Sequence, residues 1–465
     1  MKFFGRARME RREFLAYAGG LIPALNVLQN NKKSKTPNII WLIADDLGWN
    51  DLGCFGNSSI RTPHIDFLGN NGLKFTQAFV TSPQCSPSRS SAWTGKYAHS
   101  TGTEDLHAPL PKEEKILPQH LKKQNYFSGN VGKLHLGKSA RKKFDYIKND
   151  VDAWENFLKT RPKDQRFFLA LGFHQPHRPF KYKTKKFQYE NNEVVVPPYL
   201  PDLKRVRTDL TRYYNEVSKM DAKIGNLIAF LKKKNLLDNT LILFWSDNGL
   251  PFPRAKGQLY DSGIGSPIIF YWKDHIEPGI YDQLTSTIDF VPTLLDLTGI
   301  KVPNSLHGSS FYSALKGNKQ AYRNYIYSER NWHDLDDHIR SVRTEKYKYI
   351  RNYLPWKPYT QPADVYGSPS FQAMREAKQN GRLAGKERLI FRWPRPVEEL
   401  YDLSKDPNEF KNLANKSEYS VIKTKLRDKL KKWENRTHDV PVEKRKPDKY
   451  NYNKLFKKKV MDTQN

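Results

Sequence analysis

The stretch Ile39-Ile-Trp-Leu-Ile-Ala-Asp-Asp46 decides the fold. Its unbroken apolar run leaves no polar face, so it reads as a strand buried on both sides, as in a sheet covered by helices. The run stops abruptly at two carboxylates. Two later runs have the same form. Phe167 to Phe173 ends at His174, and Thr240 to Trp245 ends at Ser246, Asp247 and Asn248. Strands of an open parallel sheet share one carboxyl edge, and ligands bind along it. Between these two runs Tyr213, Val217, Met220, Ile224, Leu227, Ile228 and Leu231 recur at spacings of three and four. That spacing predicts a helix packed by one face, with Lys232 to Lys234 suited to its C-terminal dipole. Strand, long helix and strand make a βαβ unit with a right-handed crossover. Ile288 to Leu297 predicts another helix, with Pro292 near its start.

Further along, the pattern changes. Tyr325–Ser328 and Tyr347–Ile350 read as short strands, the second alternating. Leu400–Leu403 reads as a strand before the Asp406-Pro407 turn, and Tyr419 to Trp433 as a helix. The expected organisation is an α/β chain: a leader over 1–36, a large domain with a mixed, largely parallel sheet over 37–320, a smaller antiparallel-sheet domain over 321–440, and a lysine-rich tail over 441–465.

The chain has 465 residues, a formal charge of +30 and only two cysteines, Cys54 and Cys85. No disulfide framework supports the fold, and no CxxC pair suggests structural zinc. The positive field favours polyanions, either nucleic acid or a sulfated or phosphorylated polysaccharide. No helix-turn-helix, finger or RNA-binding signature supports the first. A solvated, lysine-rich surface is the plainer reading of the tail. Near the start, Arg11-Arg12 precedes Phe14-Leu15 and a short apolar run, resembling a twin-arginine export signal. A periplasmic or secreted location follows, with an amphipathic leader that stays attached as the other reading. No transmembrane anchor is predicted, since no run is long enough to span.

Four groups carry chemistry. Asp45, Asp46, Asp247 and Asn248 offer hard oxygen ligands from two strand ends, which suits calcium or magnesium. As turn and cap residues the same four would need no ion. Cys85-Ser-Pro-Ser-Arg89 places a cysteine beside a fixed positive charge. Pro87 is expected to stop a helix from running through it, and the cysteine reads as reactive or modified, or else as a small buried residue before a helix. Lys133 and His135 fall on one side of the chain if it is locally extended. His174 and His177 flank Gln175-Pro176, and Lys256 sits in a glycine-bearing loop after the third strand. A cation, Arg89, Lys133, Lys256 and histidines around a tetrahedral oxyanion would fit sulfuryl or phosphoryl transfer.

Taken together these pieces resemble the sulfatase family, within the alkaline-phosphatase-like superfamily. The residues that carry the resemblance are Ala44–Gly48, Cys85–Arg89 with Thr94-Gly95, Gly132–His135, His174–His177, Ser246–Gly249, Glu399–Leu403, Asp406-Pro407 and Asn412–Ala414. They run in family order across roughly residues 37 to 435. Within the family, Phe173–Arg178, Asn248–Pro253 and Trp433–Asp439 resemble the heparan N-sulfatase (N-sulphoglucosamine sulphohydrolase) subgroup. Lys256 departs from that subgroup, where the resemblance implies an arginine, and a fork and a point charge grip sulfate differently.

The resemblance implies an alkaline-phosphatase-like fold and a sulfuric ester hydrolase. It implies that Cys85 is converted to formylglycine by a separate maturation enzyme. Asp45, Asp46, Asp247 and Asn248 would hold one Ca2+, with residue 85 completing the shell. Lys133, Lys256 and His174 would grip sulfate, His174 would protonate the leaving group, and His135 would assist breakdown of the sulfated enzyme, with Arg89 beside the nucleophile. The expected substrate is a sulfated polysaccharide or its oligosaccharides, algal glycans such as ulvan included, with heparan-type N-sulfate as the alternative. His177, Arg178, Trp332, His333 and Trp356 are the expected sugar-facing residues. A phosphodiesterase of the same superfamily and a non-catalytic polyanion-binding protein are the competing classes.

Overall fold

The computed structural model describes residues 36–180, 187–383 and 385–439. The expected leader and the lysine-rich tail lie outside the described residues. Among the described residues there are fourteen strands: β1 (Asn38–Ala44), β2 (Leu73–Phe75), β3 (Ala78–Phe79), β4 (Tyr126–Gly132), β5 (Tyr146–Lys148), β6 (Arg166–Gly172), β7 (Thr240–Ser246), β8 (Ile268–Tyr271), β9 (Gly279–Tyr281), β10 (Thr285–Ser286), β11 (Ile326–Arg330), β12 (Ile339–Arg343), β13 (Tyr347–Asn352) and β14 (Glu398–Asp402).

Eight of them form one sheet in the order β5-β4-β6-β1-β7-β8-β2-β9. β1 lies between β6 and β7 and is parallel to both, while β8 runs antiparallel to β7 and β2. The apolar run of β1 is explained by its two faces. Ile40, Leu42 and Ala44 enter one core, and Ile39, Trp41 and Ile43 enter the other. β6 and β7 divide their residues the same way, so neither face offers a place for a polar side chain.

The 30-residue helix Lys204–Lys233 covers the first face, packing Tyr213, Val217, Met220, Ile224, Leu227, Ile228 and Leu231, the predicted stripe. The helices Cys85–Thr94 and Phe290–Leu297 cover the other. Trp41 sits among Trp93, Phe168, Trp245 and Phe290, with ring centroids 4.6 to 6.3 Å away. The four-stranded sheet β11-β12-β13-β14 is antiparallel throughout. It packs the helix Ser420–Thr437 through Val342, Tyr349, Leu400, Leu426, Leu430 and Trp433, a core that also takes in Tyr97 and Ile288. The expected mixed, largely parallel sheet and the smaller antiparallel sheet are both present. Both belong to one compact unit that begins at Pro37.

Two readings are corrected. Pro87 lies inside the helix Cys85–Thr94, not at its end. As the third residue of the first turn it lacks an N–H that would have had no intrahelical partner anyway. β12, with sequence Ile-Arg-Ser-Val-Arg, was not anticipated. Its arginines are buried because each is paired, Arg340 with Asp439 and Arg343 with Asp261.

Candidate active site

The carboxyl ends of β1, β4, β6 and β7 converge on Cys85. After β1 the chain turns at Asp46, whose φ of 70° is left-handed. The turn is held by main-chain donors: Asp46 N–H to Asp247 Oδ1 at 3.2 Å, and Leu47 N–H to Ser246 Oγ at 2.9 Å. The ends of β4 and β6 meet without room for side chains. Gly132 has a φ of 78°, and a Cβ there would lie 2.1 Å from Gly172 O. A Cβ on Gly172 would lie 1.9 Å from Lys133 O. This close approach sets Lys133 against β1.

Cys85 opens its helix and is buried, with Sγ 3.3 Å from Asp45 Oδ1 and 3.7 Å from Asp46 Oδ1. The other carboxylate oxygens face cations. Lys133 Nζ lies 2.5 Å from Asp45 Oδ2, and Lys256 Nζ 2.7 Å from Asp46 Oδ2. Arg89 Nε donates to Asp247 Oδ2 at 2.7 Å, and its Nη1 to Lys133 O at 2.7 Å. Asn248 Nδ2 donates to Asp46 Oδ1 at 2.8 Å. Three buried carboxylates are thus matched by three buried or half-buried cations.

The protonation states follow. Burial opposes ionisation of Asp45, yet Lys133, then His177, Arg89 and Lys256, hold it well below the usual carboxylate range. For Asp247 burial wins over Arg89 and raises it to about 6. Burial also opposes charge on the two lysines, but Asp45 raises Lys133, and Asp364 with Asp46 raises Lys256. Burial lowers His135 to about 2, helped by Lys133 and Arg89. Burial first, against Asp45 and with Lys133, lowers His174. Burial drives the Cys85 thiol well above its ordinary value. Unmodified, it is a thiol that donates to Asp45, not an activated thiolate; the charge of Arg89 goes to Asp247.

The oxygen-rich donor set fits a hard divalent cation. Asp45 Oδ1 and Asp46 Oδ1 both face Sγ, and Asn248 Oδ1 is buried without a hydrogen-bond partner. Ligand atoms of Asp45, Asp46, Cys85 and His177 all lie within 4.8 Å of one another. Arg89 Nη2 and His135 Nδ1 are also buried without a hydrogen-bond partner.

Other expected residues divide. His177 Nε2 is 3.7 Å from Asp46 and Asp364 carboxylate oxygens, at the cluster. His174 is exposed beside it, with Asp45, Lys133 and Arg89 as charged neighbours. His333 is buried near Lys256 and held by Asp334 at 3.1 Å. Trp332 joins the site wall through its main chain, accepting from Gln84 Nε2 and donating to Asp105 Oδ1. Arg178 faces the protein: Nε meets Pro251 O at 2.8 Å, and Nη1 and Nη2 grip Asp209 at 2.9 and 2.7 Å. Trp356 is exposed, and its carbonyl accepts from Trp393 Nε1. Lys133 and His135 do not share an extended segment, because His135 has a φ of 62°.

Two residues at the site were not anticipated. Asp364, on the short helix Ala363–Tyr366, reaches Lys256 Nζ at 2.8 Å. His107 Nδ1 lies 2.6 Å from His135 Nε2. Neither carries a local sequence signal, since each is recruited from a distant loop.

Buried carboxylates and buried cations thus meet at the carboxyl edge of the main sheet. The sulfatase family model matches residues 37–152 and 143–300, and the model "N-sulphoglucosamine sulphohydrolase, C-terminal" matches 255–366. The chain belongs to the sulfatase family, whose members hydrolyse sulfuric esters. It is 31% identical to an ulvan-active sulfatase of Formosa agariphila, over 86% of this chain and 75% of that one. It is 30% identical to human N-sulphoglucosamine sulphohydrolase, over 88% and 91%. A solved structure in complex with its substrate D-glucosamine-2-N,6-O-disulfate shares the fold, with a TM-score of 0.68 and 19% identity over 88% of this chain and all of that one.

Proposed function

We propose that this chain is a formylglycine- and calcium-dependent sulfatase that releases sulfate from O-sulfate esters of a sulfated polysaccharide or its oligosaccharides. The observation that carries the reading is residue 85: its side chain lies 3.3 and 3.7 Å from two carboxylates, within a ring of Arg89, Lys133 and Lys256. A formylglycine at this position would supply a hydrated aldehyde, one hydroxyl for attack on sulfur and a second whose proton loss expels sulfate. Asp45, Asp46, Asp247 and Asn248 would hold the calcium ion, which would supply charge to a sulfuryl oxygen.

The chain's own side chains do the rest. Lys133 and Lys256 remain charged and offset the charge that grows on the sulfuryl oxygens. Arg89 holds Asp247 in place and turns Nη2 inward. His174 protonates the leaving oxygen; the negative charge of a bound sulfate ester beside it raises its proton affinity. His135 presents a buried ring nitrogen that would accept a hydrogen bond from the second hydroxyl during sulfate release. His333 and Trp332 form the sugar-side wall. A separate maturation enzyme would convert Cys85, and the twin-arginine segment supports export. No described helix is long and apolar enough to cross a membrane.

A second reading, N-sulfoglucosamine hydrolysis, is favoured by the match of the N-sulphoglucosamine sulphohydrolase C-terminal model. Ion chromatography of sulfate released from heparan and algal glycans tests both, alongside a mass measurement of the residue-85 peptide. Release from O-sulfated algal glycans supports the first reading and release restricted to N-sulfated heparan the second. No release by protein carrying the converted residue rejects both.

A further inference from the structure

We propose that Asp364 is a positioning residue for this reaction: its carboxylate keeps the Lys256 ammonium from pairing with Asp46 alone, so that Lys256 stays in the ring of cations around residue 85. The proposal rests on the reading that Lys256 grips sulfate. Lys256 Nζ donates to Asp46 Oδ2 at 2.7 Å and to Asp364 Oδ2 at 2.8 Å. The ammonium therefore hangs between two carboxylates, one at the end of β1 and one on the helix Ala363–Tyr366. Only 2% of the lysine side chain is exposed, which leaves little water to replace either partner. Burial opposes its charge, and of the groups that favour it Asp364 comes first, ahead of Asp46. A lysine is a point charge on a flexible four-carbon stem, so two partners fix what one leaves free to swing.

Asp364 can serve as such a partner because it is itself held. Its Oδ1 accepts from Val365 N–H at 2.9 Å, which leaves Oδ2 for Lys256. His177 Nε2 lies 3.7 Å from the same Oδ2, and His333 is a further ionisable neighbour. The main chain on both sides is anchored without the carboxylate. Ala363 N–H donates to Asp334 Oδ2 at 2.9 Å, and Tyr366 N–H to Pro362 O at 2.7 Å. Lys256 N–H donates to Leu250 O at 3.1 Å, and Gly257 N–H to Pro83 O at 2.9 Å. Asp364→Asn should fold, because Lys256 keeps Asp46. Asparagine has one oxygen, and turning it to Val365 N–H leaves an NH2 facing the ammonium. Glutamate keeps the charge, and the 21% exposure of the Asp364 side chain gives a longer stem room.

Two effects of Asp364→Asn have opposite signs. Deleting a negative charge beside an anion site tightens anion binding by Coulomb attraction alone. Releasing Lys256 onto Asp46 weakens it. The test measures binding of inorganic sulfate by calorimetry to matured, calcium-loaded full-length protein, together with crystal structures of wild type and Asp364→Asn. Asp364→Asn should weaken sulfate binding at least about tenfold, and Asp364→Glu should restore most of it. Added to Lys256→Met, Asp364→Asn should weaken binding no further. In Asp364→Asn crystals Lys256 Nζ should pair with Asp46 alone. Unchanged or tighter binding in Asp364→Asn, failure of that variant to fold, or an ammonium that keeps its place would overturn the proposal. So would an equal loss with and without Lys256, which would make Asp364 a contact in its own right. Unchanged sulfate binding in Lys256→Met would instead reject Lys256 as a sulfate grip, and the place of Nζ in the crystals judges Asp364 separately.

Discussion

Arg89 and Asp247 form an ion pair 2.7 Å long with both side chains fully buried. Asp247 supplies one carboxylate of the site, and Arg89 reaches on to Lys133 O, so the pair links three strand ends. Removing one partner leaves an uncompensated charge in the interior. Arg89→Met should lower stability by about 3–5 kcal/mol and abolish sulfate release. Urea denaturation and an activity assay check this. A variant as stable as wild type would mean Asp247 is protonated or otherwise satisfied.

Cys85→Ala removes one small buried atom and no packing partner of size. The melting temperature should stay close to wild type while turnover is lost. Substantial sulfate release by Cys85→Ala would refute residue 85 as the nucleophile's source.

Calcium should stabilise protein stripped with a chelator. Binding at a hundred times Kd contributes about 2.7 kcal/mol, visible as a raised melting temperature. Asn248→Ala deletes the unpartnered buried amide oxygen, so the same shift should need at least about tenfold more calcium. An undiminished shift would place the ion elsewhere.

Gly132→Ala tests the junction beneath Lys133. The left-handed turn costs about 1–2 kcal/mol with a Cβ, and the clash with Gly172 O adds about 1–3 kcal/mol. A loss of about 2–5 kcal/mol is expected, with activity falling as Lys133 shifts. Equilibrium denaturation reads it directly.

His99 Nδ1 meets Glu329 at 3.0 Å, and its Nε2 meets Thr437. Burial opposes charge on His99, but Glu329, and more weakly Asp439 against Arg340, raise it above its ordinary value. A raised folded value contributes stability that is full below the unfolded pKa of about 6.5 and is lost as pH rises through the folded value. Glu329 is opposed by burial and lowered by His99, so its share is lost on acidification instead. Wild type should therefore lose more stability than His99→Gln between neutral and alkaline pH. Parallel slopes in the two proteins would count against the charged pair.

The central sheet was legible because each residue of β1 is buried on one face or the other, so its composition alone marks it. Asp45, Asp46, Lys133, Asp247 and Asn248, which meet around Cys85, stood out because they follow the ends of β1, β4 and β7 directly. β12 was hidden by arginines whose burial depends on Asp439 and Asp261, residues far away in sequence. The helix at Cys85 was obscured by weighing Pro87 as a breaker when its place in the first turn makes it harmless. His107 and Asp364 belong to loops that meet the site only in three dimensions, through His135 and Lys256. No local pattern announces such meetings, because the distance between partners along the chain is what the fold removes.

Only 2% of Cys85 is solvent-accessible once the chain has closed around it. If an outside catalyst converts that sulfur, as proposed, the conversion has a deadline, set by how fast Asp364 and the second sheet arrive from the ribosome. Residue 85 is made hundreds of residues before they are. The yield of working enzyme is then a race between two clocks, translation with collapse on one side and chemical conversion on the other, and slowing synthesis should favour the second.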